Sequence, residues 1–185
     1  MTMSRQINRI AIDIETTGKK PGCHVLSIGA VHFDLESGVS TDPSKQFYEA
    51  IFYEQRFNIH NDPDTMYWWK DPKHIAAREA AFAGTELPRK VLGRFINFLN
   101  RAKDNGAERQ FFSKHSQFDF PILEDYADRF FLDLGISHKE INCSFTLANQ
   151  IKRIPEPAFK GIRHHALDDA IHEAEHCVQL LRFLN

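Results

Sequence analysis

The chain has 185 residues, of which 42% are hydrophobic and 26% are charged, so it is long enough to bury the core of one ordinary globular domain. Its 23 Lys and Arg residues against 25 Asp and Glu residues give a net charge of −2, so composition alone does not suggest a protein that grips long stretches of nucleic-acid backbone. Three cysteines without a C-x-x-C pair argue against a disulfide framework or a cysteine-based zinc finger, and indicate a reducing compartment.

No segment predicts secretion or a membrane anchor. The N-terminal sequence lacks the apolar stretch of a signal peptide, and no apolar run reaches the roughly 20 residues that a membrane-spanning helix needs. Internal repeats and low-complexity linkers are also absent from the sequence. We therefore expect a single cytoplasmic domain over residues 1–185, with no membrane partner.

The first part of the chain predicts three strands joined by short connections. Residues 9–15, 24–34 and 46–53 are rich in β-branched and aromatic side chains, and turn-forming stretches separate them. Because side chains alternate between the two faces of a strand, Asp13 and Glu15 point the same way. Three such strands predict an antiparallel meander at the start of a sheet.

The segment 54–86 is less regular, and we regard it as a candidate insertion. It contains the adjacent aromatic residues Trp68 and Trp69. Asp71, which a proline follows, is well placed to cap the start of a helix, and Gly84 is well placed to end it.

The rest of the chain alternates helices with strands. Apolar spacing and turn residues predict a helix over 88–101, a turn at 104–106, a strand over 109–113, a helix over 118–132, a short strand over 141–145, a short helix over 146–152 and an amphipathic closing helix that ends near Leu184. Strands followed by helices that alternate with further strands indicate an α/β domain with a mixed sheet.

Four acids and one histidine stand where chemistry could occur. Asp13 and Glu15 share a strand face, Asp119 begins the helix after a central strand, and Asp169 lies early in the last helix, five residues after His164. Carboxylates are hard oxygen ligands that suit Mg²⁺ or Mn²⁺, and two such ions about 3.5–4 Å apart can catalyse phosphodiester hydrolysis.

Each of these residues also has an ordinary structural explanation. A D-x-E pair is common on a solvated strand face, and Asp119 alone could cap its helix. His164 and Asp169 alone could be surface residues. The functional interpretation therefore depends on the order and context of the whole set.

That order resembles the DEDD exonucleases. Residues 13–18 (DIETTG) are similar to the first motif of that family, residues 115–123 (HSQFDFPIL) to the second, and residues 164–170 (HHALDDA) to the third motif of its histidine subclass, DEDDh. Residues 65–69 (TMYWW) resemble the T-x-x-W-W element of a phage and bacterial branch that includes a mycobacterial 3′-5′ exoribonuclease-like group, which makes the segment 54–86 a candidate family-specific insertion.

The resemblance implies an RNase H-like fold, in which helices flank a mixed five-stranded sheet. It implies hydrolysis of single-stranded RNA or DNA from the 3′ end, with release of nucleoside 5′-monophosphates and two Mg²⁺ or Mn²⁺ ions as cofactors. Asp13 would bridge both metals, Glu15 would ligate one metal and meet the terminal 3′-hydroxyl, Asp119 would ligate the second metal, and Asp169 the first. His164 would act as general base, a role that suits a pKa near neutrality. Small relatives often pair, so a homodimer is also an expectation.

Spacing selects between adjacent identical residues in the third motif. His164 and Asp169 give the four-residue gap followed by Ala170 that the motif requires, so we assign these two. His165 and Asp168 are then expected to be exposed neighbours.

Five residues are candidates for substrate binding. Thr16 and Thr17 adjoin the predicted metal ligands, and Ser116 stands where the family often has Asn. Trp68 and Trp69 could stack on terminal bases or fill the core beneath the insertion. Since successive helical residues point about 100° apart, the two indoles are not expected to share one role.

Basic residues near the motifs are candidates for phosphate contacts, namely Lys19, Lys20, Lys114, Lys160 and Arg163. Two alternative functions stay open. One is a nucleic-acid-binding module without catalysis, against which the complete set of catalytic residues argues. The other is a zinc protein that uses His164, His165, His172 and Cys177, whose spacing fits no structural zinc pattern.

Overall fold

A mixed sheet forms the centre of the computed structural model, which describes residues 7–54, 60–102, 107–151 and 154–184. Its strands are β1 (Ile7–Thr16), β2 (Val25–Asp34), β3 (Gly38–Val39), β4 (Gln46–Ala50), β5 (Glu108–Ser113) and β6 (Ile141–Cys143). Their order across the sheet is β3-β2-β1-β5-β6, and β4 pairs with β2 alongside β3. Because β3 and β4 lie end to end along the same side of β2, these six strands occupy five positions across the sheet, in agreement with the predicted five-stranded sheet.

The first strands form the predicted meander. β1 and β4 both run antiparallel to β2, whereas β5 is parallel to β1 and β6 is parallel to β5. The parallel pairing brings the C-terminal ends of β1 and β5 to the same edge of the sheet, because parallel strands end together. Glu15, near the end of β1, and the chain that leaves β5 therefore lie close to each other.

Helices cover both faces of this sheet. They are α1 (Pro63–Trp68), α2 (Ile75–Ala81), α3 (Pro88–Arg101), α4 (Ser116–Arg129), α5 (Ser144–Ile151) and α6 (Ala166–Leu184). Short 3₁₀ turns occur at Pro43–Lys45, Pro72–His74 and His138–Glu140. Among the helices in the described part of the chain, none is both long and apolar enough to cross a membrane.

Strand β1 divides its side chains between two cores. Ile10, Ile12 and Ile14 pack in the larger cluster, which contains the apolar residues of α3 and α4. Ala11 belongs to the opposite cluster, with residues of α6 such as Ala174. Asp13 and Glu15 have the same parity as Ala11, so the strand directs them toward α6.

Several element boundaries differ from the sequence expectations. Helix α4 begins at Ser116 rather than Phe118, because the chain turns into the helix directly after β5. Strand β4 ends at Ala50 rather than Tyr53, and the short strand predicted over 141–145 ends at Cys143, where α5 begins. The turn predicted at 104–106 lies outside the described residues.

The described residues 60–86 of the candidate insertion form a small layer of their own against the sheet. Trp69, Ala77 and Ala81 pack on Leu26 of β2 in a separate apolar cluster. The backbone N–H of Asp62 donates to the carbonyl of Thr17 at 2.9 Å, which joins the start of α1 to the β1–β2 loop. The segment is thus anchored beside the end of the strand that contains the two acids.

Candidate active site

Strand β1 presents two acids on the side of α6. Asp13 pairs across the sheet with Gly29, and Glu15 pairs with Ser27. Glu15 is only 9% exposed, although it carries an ionisable group. Burying a lone carboxylate costs free energy. The negative charge of these two acids must therefore be balanced by bound cations or removed by protonation.

Helix α4 supplies a third acid. Asp119 lies in the first turn of α4 and is 4% exposed. The N-cap of α4 is His115, and no side chain caps the helix, so the capping explanation for Asp119 is wrong. The parallel arrangement of β1 and β5 brings this helix start to the edge where Glu15 lies.

Helix α6 supplies the fourth acid through a close approach to the sheet. A Cβ added to Gly29 would lie 2.1 Å from the backbone carbon of Ala166. Only glycine permits this contact, and Gly29 is the cross-strand partner of Asp13. The first turn of α6, which contains Asp169, is therefore held directly over the acids of β1.

The histidine lies in the loop before α6 with an unusual backbone. His164 has φ of 67°, in the left-handed region that a residue with a Cβ seldom adopts. Its backbone N–H donates to Oδ2 of Asp169 at 2.5 Å. This contact fixes the loop and the carboxylate relative to each other.

Three of the five residues form a compact donor group. One ligand atom each from Glu15, His164 and Asp169 lie within 4.8 Å of one another. Asp13 and Asp119 line the same cleft, which has a volume of about 990 Å³. A donor set dominated by carboxylate oxygens suits Mg²⁺ or Mn²⁺ rather than a soft metal.

Burial and mutual repulsion perturb all four acids. Burial, together with the neighbouring Glu15, raises the pKa of Asp13 well above its ordinary value, and burial together with Asp169 does the same for the pKa of Glu15. Burial raises the pKa of Asp119 to about 7 and that of Asp169 to about 6. Such a site gains from bound cations, because they stabilise the ionised carboxylates.

The pKa of His164 is shifted downward, in contrast to the raised pKa values of the four acids. Burial lowers the pKa of His164, and the nearby His74 and Arg163 lower it further. At neutral pH the imidazole is therefore mainly uncharged and able to accept a proton.

The two adjacent tryptophans have different environments, as their positions on successive helical residues predict. Trp69 is 2% exposed, and its Nε1 donates to the carbonyl oxygen of Thr16 at 2.9 Å. Trp68 is half-buried and lies in the cleft, where its ring is 4.7 Å from that of His164. Both residues line the cleft, but Trp69 is almost entirely buried and bonded to the backbone of β1, whereas Trp68 faces His164.

The other candidate substrate residues lie in different places. Of these, Thr16 lines the cleft, and its hydroxyl donates to the carbonyl of Gly18 at 2.6 Å. Thr17 is fully buried, and its hydroxyl accepts a hydrogen bond from the backbone of His24 at 3.0 Å. Ser116 lies against the thiol of Cys143 at the start of α4. Thr17 and Ser116 are thus absent from the described residues that line the cleft.

The basic candidates also divide into two groups. Lys19, Lys114 and Arg163 line the cleft, whereas Lys160 pairs with Glu175 at 2.8 Å and is not among the described lining residues. Lys114 forms an ion pair with Glu156. The site therefore has a small positive rim, as the near-neutral net charge suggests.

The neighbours of the assigned residues have structural contacts instead. His165 stacks on Tyr48 with ring centroids 4.1 Å apart, and Asp168 accepts a hydrogen bond from the backbone of Ile162 at 2.8 Å. Both are half-buried rather than exposed, because the loop before α6 folds back on them. His172 pairs with Glu156 at 3.2 Å.

These contacts bear on the zinc alternative. Among the described residues, the group able to hold a metal combines His164 with two acids. His165, His172 and Cys177 are not members of it, so the structure gives that alternative no support.

Two residues near the site were not predicted from the sequence. Glu173 is 4% exposed and adds to the negative charge around Asp13 and Asp119. It stands four residues after Asp169, so helical spacing could have placed it on the same face of α6. His74 is 6% exposed and lies beside His164, with ring centroids 5.3 Å apart. Nothing local in the sequence indicates that proximity.

The chain is similar to a known protein family and to several solved structures. A family model described as the 3′-5′ exoribonuclease Rv2179c-like domain matches residues 8–181. The fold is similar to the nuclease domain of 3′hExo, a DEDDh family member bound to rAMP, with a TM-score of 0.71 and 13% identity over 99% of this chain and 95% of that chain. No curated protein sequence gives a significant match.

Two further solved structures share this fold. E. coli Exonuclease I in complex with a dA16 oligonucleotide has a TM-score of 0.66 and 16% identity over 96% of this chain and 41% of that chain. S. pombe Pop2p in an Mg²⁺- and Mn²⁺-bound form has a TM-score of 0.59 and 13% identity over 93% of this chain and 82% of that chain. At these identities the likeness establishes the fold, which is RNase H-like.

Proposed function

Because this chain belongs to the family of Rv2179c-like 3′-5′ exoribonuclease domains, and is thus a 3′-5′ exonuclease, we propose that it trims single-stranded nucleic acid by two-metal-ion hydrolysis. One observation supports this mechanism most strongly. Donor atoms of Glu15, His164 and Asp169 lie within 4.8 Å of one another, in a cleft that Asp13 and Asp119 also line.

The four carboxylates would hold the cations. Asp13 would be shared by both ions, Glu15 and Asp169 would ligate one, and Asp119 the other. The ions would be Mg²⁺ or Mn²⁺, and when bound they lower the pKa of a water ligand and neutralise charge on the phosphate and the leaving oxygen. The raised pKa values of the acids mean that binding of cations displaces protons from the site.

His164 would remove the proton from the attacking water. Its lowered pKa keeps the imidazole uncharged at neutral pH, and its backbone N–H donates to Asp169, a carboxylate that would hold a cation. After attack on the terminal phosphorus, the bond to the 3′-oxygen of the preceding nucleotide would break. That oxygen would take up a proton from solvent to give a new 3′-hydroxyl, and a nucleoside 5′-monophosphate would leave. Glu15 would face the terminal 3′-hydroxyl.

The volume and charge of the cleft suit a short single-stranded end. Its volume of about 990 Å³ is at the upper end of the roughly 300–1,000 Å³ that ligand pockets occupy, which suits a few terminal nucleotides. Lys19, Lys70 and Arg163 on the rim would contact phosphates, and Thr16 would contact the terminal nucleotide. A small basic rim agrees with a short footprint, and the matching family description favours RNA.

The test is an exonuclease assay on matched substrates. Single-stranded RNA and DNA of one sequence, each labelled at the 5′ end, are incubated with the protein in Mg²⁺, Mn²⁺ or EDTA. We expect a ladder of 3′-shortened products with either cation, faster on RNA, and no ladder in EDTA or with Asp13→Asn. Asp128→Asn, on the exposed side of α4, is the matched control and should behave as the wild type. Binding of the strands without shortening would instead support a noncatalytic module.

A further inference from the structure

The candidate insertion supplies an aromatic wall beside the general base. The ring of Trp68 is 4.7 Å from that of His164, and the ring of His74 is 5.3 Å from it. Both rings are nearly perpendicular to the imidazole, at 88° and 83°. Edge-to-face packing at these distances is favourable and restricts how the imidazole can turn.

The two wall residues are fixed to each other. Their rings overlap with centroids 3.7 Å apart at an angle of 31°. Nδ1 of His74 lies 2.9 Å from the carbonyl oxygen of Trp68, and since a carbonyl can only accept, Nδ1 carries the proton that is donated. One face of the indole is thus covered by His74, which leaves less of it for a nucleic-acid base.

The wall is also fixed to the strand of metal ligands. Trp69, the residue after Trp68, is buried and donates from Nε1 to the carbonyl of Thr16, the residue after Glu15. The side chain of Asp71 accepts from the backbone of Lys73 at 3.0 Å and so organises the turn that holds His74. The insertion is therefore hydrogen-bonded to β1 through Trp69, while Trp68 and His74 contact His164.

His164 is a residue that needs such support. It lies in the loop outside regular secondary structure, with φ of 67°. Left-handed backbone costs a residue with a Cβ roughly 1–2 kcal/mol, so surrounding contacts must maintain it. A catalytic group that moves by about 1 Å can lose roughly 100-fold in rate.

We propose that Trp68 and His74 are positioning residues, which hold the imidazole of His164 toward the water that it deprotonates. This inference rests on the proposed function, in which His164 is the general base. It assigns a role to the inserted segment: the insertion completes the active site from outside the core fold. Trp68 then acts through His164 rather than by stacking on the substrate.

Kinetics of single variants give the first test. We expect Trp68→Ala to lower kcat by roughly 10- to 100-fold with KM within about twofold of the wild type, and Trp68→Phe to recover most of the loss. His74→Phe keeps a ring that can pack on His164, whereas His74→Asn keeps only the hydrogen bond to Trp68. Because ring packing positions the imidazole, kcat should fall less in His74→Phe. Ile75→Ala, in the same segment with 43% exposure, is the control. If Trp68→Ala instead raises KM, and by an amount that depends on the identity of the terminal base, the inference is overturned in favour of base stacking.

A double-mutant cycle separates this inference from the proposed function. If Trp68 acts through the imidazole, Trp68→Ala should cause no further loss in a His164→Ala background. A full additional loss there would refute positioning while leaving the function intact. If His164→Ala itself has wild-type kcat, the assignment of the base fails, and the inference fails with it.

A spectroscopic measurement covers the case in which Trp68→Ala does not fold. In protein labelled at histidine, the ring protons of His164, identified by their loss in His164→Ala, should show a ring-current shift from Trp68. Trp68→Leu and the folded Trp68→Phe should reduce that shift, while Mn²⁺ affinity stays within about twofold of the wild type. An unchanged His164 signal in these variants would contradict the proposed contact.

Discussion

Removing one buried carboxylate should stabilise the protein while abolishing its function. Asp119 is 4% exposed, and burial raises its pKa from the ordinary 3.8 to about 7. Because the folded-state pKa is the higher one, the metal-free protein should lose stability as pH rises from about 4 through 7. At about 1.4 kcal/mol per pH unit, the loss approaches roughly 4 kcal/mol above pH 7.

Asp119→Asn keeps the shape of the side chain but cannot ionise. In EDTA at pH 8 we expect this variant to have a free energy of unfolding higher than that of the wild type by up to about 4 kcal/mol, or roughly 8–16 °C in Tm. At pH 4 the two should be nearly equal, since the wild-type carboxyl is then largely protonated. Addition of Mn²⁺ at pH 8 should stabilise the wild type and have much less effect on the variant.

Thermal unfolding followed by circular dichroism across pH 4–8, with and without Mn²⁺, measures all of these quantities. Asp128→Asn removes an exposed acid on the same helix and keeps Asp119, so this control should follow the stability of the wild type at every pH. The reasoning is refuted if Asp119→Asn is less stable than the wild type at pH 8 in EDTA, or if Mn²⁺ stabilises both equally.

Three other predictions concern the geometry around the site. Gly29→Ala would place a Cβ 2.1 Å from the backbone of Ala166, so displacement of α6 should cost about 1–3 kcal/mol in urea unfolding and weaken Mn²⁺ binding in calorimetry. Gly93→Ala, which has open space on α3, should instead be neutral or gain about 0.5–1 kcal/mol; equal behaviour of the two would contradict the close approach. His164→Ala should remove most turnover in the strand assay while calorimetry shows Mn²⁺ affinity largely kept, and equal loss of both would count against a base. Trp69→Phe should cost about 1–3 kcal/mol in urea unfolding, because it leaves the buried carbonyl of Thr16 without its donor; no loss would mean that water replaces the indole.

The architecture followed from local patterns in the chain. Alternation along β1 correctly placed Asp13 and Glu15 on one face, and the apolar spacing of residues 88–101 predicted α3 to its ends. These features depend on short-range periodicity, which a sequence displays directly. The start of α4 was placed two residues late, because the chain turns into the helix at Ser116, directly after β5.

Motif spacing predicted which residues form the site, but it did not predict the long-range contacts around them. Spacing chose His164 and Asp169 over identical neighbours, and the structure brings those two together with Glu15. The approach of α6 to Gly29 and the packing of His74 on His164 depend on contacts between residues far apart in the chain. Sequence patterns do not encode such contacts locally. The same reason explains why Thr17, which is close in sequence to the proposed metal ligands, is buried away from the cleft.

The proposed chemistry is tested most directly by the product that leaves the 3′ end. A single-stranded RNA is digested with Mn²⁺ in water enriched in oxygen-18, and the released mononucleotides are analysed by mass spectrometry. We expect nucleoside 5′-monophosphates with one oxygen-18 atom on phosphorus, formed by the wild type and not by Asp13→Asn. Release of 3′-phosphates or cyclic phosphates, or undiminished release by Asp13→Asn, would contradict metal-assisted attack of water at this cluster of carboxylates.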